Sequence, residues 1–206
     1  MDSPFLQSFT WIPEYAHHST SNGTRNVIFA KYTIVQQEPE TRMQDLLNQI
    51  QQALNQNLYY VALMMCLTIP DICGAIDSPN GIASGAAYAR WYNQYAASHC
   101  PYLDGPTCYQ FRCSMLHQGS TTNPNSRYSR IVFVEPGSTN SVLHCNVMNR
   151  ALNLDVGVFC SAIITGAQNW LSSASNNPLF QTNYNNFVRR YPNGLPPYII
   201  GVPVIS

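Results

Sequence analysis

The 206-residue sequence predicts a mainly α-helical protein of five or six helices with one inserted β-hairpin. Three observations lead to this prediction. Apolar residues recur every three or four positions through much of the chain, which is typical of helices that bury one face. Capping residues precede several of these stretches, and a glycine follows one of them. Within residues 41–191, one region, at about 130–148, has the composition of paired strands.

The first two helices are predicted between Thr41 and Ile69. Thr41 and Gln44 have the spacing of a capping box, and a regular apolar face follows, formed by Met43, Leu46, Leu47, Ile50, Ala53 and Leu54. A second helix is expected to begin after Asn57, and its residues are apolar nearly all round, as in a buried central helix. Because Pro70 lacks an amide hydrogen, we expect this helix to end or kink near Thr68–Ile69.

Three more helices are predicted in the middle of the chain. The third covers residues 82–95. The fourth begins after a capping residue, Asp104, and ends at Gly119, which suits a left-handed helix end. The fifth is expected to contain Phe159–Trp170, whose large apolar residues recur at helical spacing.

The strand-like region lies between the fourth and fifth helices. Residues 130–135 and 142–148 are rich in β-formers and flank a turn-like stretch at 136–141, which predicts a two-stranded hairpin. A sixth helix is expected after Asn177 and Pro178, a good capping pair. Its apolar face would be formed by Phe180, Tyr184, Phe187 and Tyr191.

The chain is therefore divided into three parts. Residues 41–191 form the predicted helical domain. Residues 1–40 lack helical periodicity and are expected to be a poorly ordered extension, and an alternative is that Met43 is the true start of the protein. Residues 192–206 contain four prolines and are expected to be an irregular tail.

Composition narrows the classes of function. Charged residues make up 10% of the chain and the formal net charge is zero, so nucleic acid could be bound only by a local patch. No secretory signal and no run of eighteen apolar residues is visible, which predicts a cytoplasmic protein without a membrane span. The seven cysteines are then expected to be reduced core thiols. Close cysteine pairs and phosphate-binding glycine loops are missing, so neither a metal nor a cofactor is predicted.

One short segment carries residues suited to chemistry. Arg112 and His117 lie near the end of the fourth helix, about 140° and 7.5 Å apart on an ideal helix, so only the long arginine side chain could close the gap. A guanidinium can bind two phosphate oxygens and stabilise developing negative charge. A neutral imidazole can take the proton from a ribose 2′-hydroxyl. The pair therefore predicts metal-independent RNA cleavage.

This Arg-x4-His motif, closing a helix and followed by Gln118-Gly119, resembles the HEPN superfamily, which includes many RNases of defence and toxin–antitoxin systems. The stretch Leu67-Thr-Ile-Pro-Asp-Ile-Cys-Gly74 adds to this resemblance, and the run from Met43 looks like a family of uncharacterised bacterial proteins. The resemblance covers roughly Thr41–Tyr191. It implies a HEPN-like helical bundle.

The resemblance also implies roles for particular residues and partners. Arg112 and His117 would be catalytic, and an acidic residue on an earlier helix, Asp71 or else Asp77, would support the arginine. Cys113 departs from the pattern, since the family often has a small polar residue, frequently Asn, at this position. A homodimer that brings two motifs to one cleft is implied, and an antitoxin-like protein is a candidate partner.

Further residues are predicted to support catalysis or to contact RNA. Gln118 is next to the motif. Residues 105–134 contain three arginines and no acidic residue. Arg127 and Arg130 are therefore candidate phosphate contacts, and Tyr109 is a candidate stacking residue.

A structural interpretation of the same residues stays open. Arg112 could be a tether to Asp71 or Asp77, and His117 could donate to the last carbonyls of its helix. The protein would then be a non-catalytic module for RNA, nucleotide or protein binding. Zinc binding by the His and Cys residues between 99 and 117 is disfavoured by their spacing. Nucleophilic chemistry at Cys113 is disfavoured because no strand-to-helix nucleophile turn is present.

Overall fold

The computed structural model describes residues 39–124 and 126–206, and the side chains from Arg42 onward. Within these residues the protein is mostly helical, which confirms the predicted class, with six α-helices and small sheets. The helices are α1 (Pro39–Asn55), α2 (Tyr59–Ile76), α3 (Gly85–Tyr95), α4 (Gly105–Gln118), α5 (Val156–Ala174) and α6 (Pro178–Tyr184). A short 3₁₀ helix, Ala97–His99, follows α3. The predicted extension, residues 1–40, lies outside the described residues apart from its last two, which begin α1.

The core is built around α2, which contacts each of the other five helices. Its apolar surface meets aromatic side chains that are almost completely buried, namely Trp170, Tyr88, Tyr92, Tyr184 and Phe159. Burying one such side chain contributes about 1.5–3 kcal/mol. By length and composition α2 could cross a membrane, but half of it is buried inside the fold, as expected of a core helix.

Of the two outcomes predicted at Pro70, a helix end or a kink, the helix end is wrong. The helix continues through Pro70 to Ile76. An interior proline costs about 3 kcal/mol because it removes one backbone hydrogen bond and crowds the preceding turn. Residues on both sides of Pro70, including Ile69 and Cys73, are fully buried, so packing of the whole helix offsets this cost.

Three of the predicted helix ends are confirmed. The Asp104 carboxylate accepts a hydrogen bond from the Thr107 amide and begins α4. Gly119 has φ +62° and ends α4. Asn177 caps α6 directly before Pro178. Helix α6 ends at Tyr184 and is therefore shorter than the predicted apolar stripe.

The predicted hairpin is wrong in its pairing. The main sheet has the order β1–β3–β2, with β1 at Arg130–Val134, β2 at Asn146–Met148 and β3 at Ala151–Asp155. Strands β2 and β3 form the hairpin, and β1 pairs in parallel with β3, not with β2. The two turn residues, Asn149 and Arg150, both have positive φ, as in the type I′ turns that suit two-residue hairpins.

Strand β3 takes the central position because its side chains can be buried on both faces. Leu152, Asn153 and Leu154 are consecutive buried residues, a pattern typical of a central strand that is covered on both faces of its sheet. The tail expected to be irregular, residues 192–206, contains three two-residue strands, and a fourth lies just before it. Here β4 (Arg190–Tyr191) pairs with β7 (Val204–Ile205), and β5 (Gly194–Leu195) pairs with β6 (Ile199–Ile200).

The prediction that all cysteines are reduced is also wrong. Cys100 and Cys145 form a disulfide, with their Cα atoms 5.2 Å apart. It joins the end of the 3₁₀ helix to the segment before β2, two regions 45 residues apart in the chain. The other five cysteines are free thiols, and four of them are buried.

Candidate functional site

The predicted pair converges at the C-terminal end of α4. Nη1 of Arg112 lies 3.1 Å from Nε2 of His117. The arginine side chain runs along the helix surface and so spans the offset between positions five residues apart. His117 is exposed to solvent at the last turn of α4, just before Gly119 ends the helix.

Asp71 on α2 holds the other edge of the guanidinium. Nε of Arg112 donates to Oδ2 of Asp71 over 2.6 Å, and the two side chains are 19% and 12% exposed. Burial raises the pKa of the Asp71 carboxyl, and the nearby Arg112 charge opposes this rise. Of the two acidic candidates, it is Asp71 that meets Arg112, since Asp77 instead accepts a hydrogen bond from the indole of Trp170.

Tyr109 and Cys113 lie beside this ion pair. The Arg112 guanidinium carbon is 6.0 Å from the centre of the Tyr109 ring, within the range of a weak cation–π contact. Interaction with the Cys113 side chain and burial raise the pKa of the Tyr109 hydroxyl. The Tyr109 ring also packs against Tyr88 and closely approaches Gly85. Tyr109 is thus largely engaged by protein groups.

The remaining predicted residues do not contact the Arg112–His117 pair. Gln118 is exposed and makes no side-chain hydrogen bond among the described residues. Arg127 binds the Tyr102 carbonyl, before the start of α4, so the length of that helix separates it from His117. Arg130 is exposed, and its backbone bridges Thr122 on the segment that leaves α4. Of these two arginines, Arg130 is therefore the better placed to contact a phosphate near the His117 end of α4.

The charges of this site suit an anion more than a metal. The Arg112 guanidinium contacts Asp71 through Nε and His117 through Nη1, and its side chain keeps partial exposure to solvent. Within the described residues there is no group of three or more His, Cys, Asp or Glu side chains placed to hold a metal ion. A phosphate at the solvent side of Arg112 would meet both a hydrogen-bond donor and the His117 imidazole.

The chain matches no protein-family model, no curated protein and no solved structure. The resemblance to HEPN domains therefore depends on the motif and the helical class alone.

A second cluster was missed by the sequence analysis. Nδ1 of His99 lies 3.0 Å from Nε2 of His144, and Nε2 of His99 lies 2.7 Å from the Tyr92 hydroxyl. The Asp155 amide donates to Nδ1 of His144 over 3.2 Å. The available signal was a repeated His-Cys dipeptide, at 99–100 and 144–145, whose cysteines form the disulfide.

The positions of the imidazole protons in this cluster follow from the Asp155 amide, which can act only as a donor. Because a backbone amide can only donate, Nδ1 of His144 accepts, which puts the proton of a neutral His144 on Nε2. Nε2 of His144 faces both Nδ1 and the carbonyl oxygen of His99, and these two atoms are acceptors for its proton. A neutral His99 then carries its own proton on Nε2, toward Tyr92. Burial, with the neighbouring His144, lowers the pKa of His99 to about 4. His99 is thus held neutral by contacts to other protein groups, which is typical of a structural network.

Proposed function

We propose that this protein is a HEPN-like, metal-independent endoribonuclease in which Arg112 binds the scissile phosphate and His117 is the general base. The observation that carries this proposal is the 3.1 Å approach of the Arg112 guanidinium to the exposed His117 imidazole. Asp71 supports it as a positioning residue, because its hydrogen bond to Nε fixes the guanidinium and leaves other N–H groups for a ligand.

The reaction would proceed within one RNA strand. Nε2 of His117 takes the proton of a ribose 2′-hydroxyl, and the 2′-oxygen attacks the adjacent phosphorus. The bond from phosphorus to the 5′-oxygen breaks, and that oxygen leaves after receiving a proton from the imidazolium or from water. The products are a 2′,3′-cyclic phosphate and a 5′-hydroxyl. Arg112 stabilises the negative charge that builds up on the phosphate oxygens.

Substrate binding must displace the contact between the two catalytic side chains. In the free protein Arg112 donates to the imidazole nitrogen that the reaction needs. A phosphate is a better acceptor for a guanidinium than a neutral imidazole, since it is anionic and can accept two parallel hydrogen bonds. Phosphate binding therefore frees Nε2 of His117 as it engages Arg112. Arg130 is a further candidate contact for a neighbouring phosphate.

The test is cleavage of mixed-sequence RNA in excess EDTA by the purified protein. We expect products with 2′,3′-cyclic phosphate ends, and loss of cleavage by a factor of about 100 or more in Arg112→Ala and in His117→Ala. Arg90→Ala, which changes an exposed arginine on α3, is the matched control and should cleave like the parent protein. Cleavage that survives in both site variants would reject the assignment.

The alternative is a non-catalytic RNA-binding, nucleotide-binding or assembly module. The observation that favours it is the Asp71–Arg112 ion pair, which joins α2 to α4 and would by itself account for an arginine at this position. Under this alternative the parent protein leaves RNA intact, whereas binding or oligomerisation persists in His117→Ala.

Partners and location complete the proposal. We infer a homodimer, for which exposed apolar residues on α2, Tyr60, Val61 and Met64, offer a surface. An antitoxin-like protein is proposed as the regulator of a free nuclease. The proposed location is the cytoplasm, although the Cys100–Cys145 disulfide is more typical of oxidising compartments.

A further inference from the structure

A groove of about 660 Å³ lies along α5, and it contains none of the proposed nuclease residues. Its walls come from the end of α3, the 3₁₀ helix and the loop after β1. Its floor is one face of α5, formed by Val158, Ser161, Ala162, Thr165 and Asn169. The volume is in the range of sites that hold small ligands.

Asp155 supplies a carboxylate at one end of this groove. Its Oδ1 atom accepts a hydrogen bond from the Val158 amide over 2.9 Å and thereby caps α5. Its other carboxylate oxygen has no hydrogen-bond partner among the described residues, although the residue is only 6% exposed. The groove lining contains no lysine or arginine. The positive end of the α5 helix dipole partly offsets the negative charge of Asp155, but no cationic side chain in the groove lining pairs with it.

Three neutral polar side chains continue from this end along the floor. Ser161, Thr165 and Asn169 are spaced by four residues, so they follow one another at intervals of about 6 Å on one helix face. All three are exposed, and within the described part of the chain their side chains make no hydrogen bonds. They offer oxygen acceptors over about 12 Å.

The other ionisable groups at the groove do not change its preference for a cation. Both ring nitrogens of His99 are already engaged, by Tyr92 and His144, so this imidazole has no free donor for an anion. The Tyr95 hydroxyl is paired with Ser173. A phosphate or carboxylate would therefore meet the Asp155 charge without a compensating cation.

We propose that this groove binds a ligand with a primary ammonium group, which donates to the free oxygen of Asp155 while the extended body of the ligand lies along Ser161, Thr165 and Asn169. A linear polyamine and a lysine side chain of an extended peptide present the same chemistry. The site is independent of the proposed nuclease activity.

Two probes distinguish these sources, namely spermidine and the peptide acetyl-Ala-Ala-Lys-Ala-Ala-amide. Binding is measured by calorimetry and by amide shifts of residues 156–169 in the full chain. Binding of either probe, with shifts confined to the groove, is the expected result, and the tighter probe identifies the source. Acetyl-Ala₅-amide lacks the ammonium group and should not bind. Absence of binding by both ammonium probes at millimolar concentration would overturn the proposal.

The decisive variant is Asp155→Asn, which removes the charge but keeps a side chain that caps helices equally well. We expect affinity to fall about tenfold or more. Asp104→Asn is the matched control, because Asp104 caps α4 in the same way and does not line the groove. Equal affinity of Asp155→Asn and Asp104→Asn would refute the assignment. If Asp155→Asn does not fold, the exposed double variant Ser161→Ala/Thr165→Val replaces it, and unchanged affinity there has the same meaning.

Discussion

Arg112 donates a hydrogen bond to Nε2 of His117, which requires this imidazole to be neutral with its proton on Nδ1. The reason is that a guanidinium has no acceptor, so the nitrogen facing it must carry a lone pair. The arrangement therefore places the lone pair of His117 Nε2 and an N–H group of Arg112 against each other at one place on the surface.

The tautomer of His117 can be observed directly. We expect long-range proton–nitrogen NMR spectra at pH 8 to show the proton on Nδ1 of His117. In Arg112→Met, whose side chain is similar in length but cannot donate, the proton should redistribute toward Nε2, the usual preference of free imidazole. A spectrum of His117 that is identical in the two proteins would mean that the contact does not persist in solution.

Removal of the Asp71 charge should destabilise the protein and disturb Arg112. Asp71→Asn leaves a partly buried guanidinium without its anion, and we expect the free energy of unfolding in urea to fall by about 2 kcal/mol. Asp45→Asn, at an exposed position on α1, is the control and should change it by less than about 0.5 kcal/mol.

A double-mutant cycle with Arg112→Met tests whether this loss belongs to the ion pair. We expect a coupling energy of about 1 kcal/mol between the two positions. Additive effects would show that Asp71 stabilises the fold through other contacts.

The His99 network should make stability depend on pH in a defined window. The pKa of His99 is about 4 in the folded protein, below its ordinary value near 6.5. Between these two values the unfolded chain binds a proton that the folded protein does not, so stability falls as the pH falls. From pH 7.5 to pH 5 this one residue should lower the free energy of unfolding by about 2 kcal/mol.

His99→Gln supplies the comparison for that prediction. Glutamine cannot be protonated, so the variant should lose less stability over the same pH interval, even though it starts from a lower value. Circular dichroism at pH 7.5 verifies its fold. Parallel pH profiles of the two proteins would show that His99 is not the group responsible.

The disulfide should contribute strongly to stability. Cross-linking positions 45 residues apart restricts the unfolded chain, and the loop-closure estimate for this length is about 4 kcal/mol. We expect the double variant Cys100→Ser/Cys145→Ser to unfold at clearly lower urea concentration. Thiol titration of the denatured parent protein, prepared without reductant, should give five free thiols. Seven would contradict the bond.

Much of the helical fold could be predicted because its signals are local. Apolar spacing located the helices, Asp104 and Gly119 marked the ends of α4, and Asn177 marked the start of α6. The same local reasoning brought Arg112 and His117 together, since both lie on one helix and one side chain is long enough to reach the other.

Contacts between distant segments could not be read in this way. Pro70 predicted a helix end or a kink, but the helix does not end there, since burial on both sides of Pro70 stabilises α2 through to Ile76. The region 130–148 predicted a hairpin, but β1 pairs with β3 because the consecutive buried residues of β3 favour the central position. Pairing energy depends on which strand arrives beside which, and this is a property of the whole chain.

By itself the sequence determined the helical class, both ends of α4, the start of α6 and the proximity of Arg112 and His117, because each depends on residues within a few positions of one another. Only the tertiary structure decided that Asp71 rather than Asp77 meets Arg112, that His99 faces His144, and that a groove follows α5 from Asp155. These contacts join residues from separate elements. The free energy that fixes them comes from packing those elements together, which no local pattern encodes.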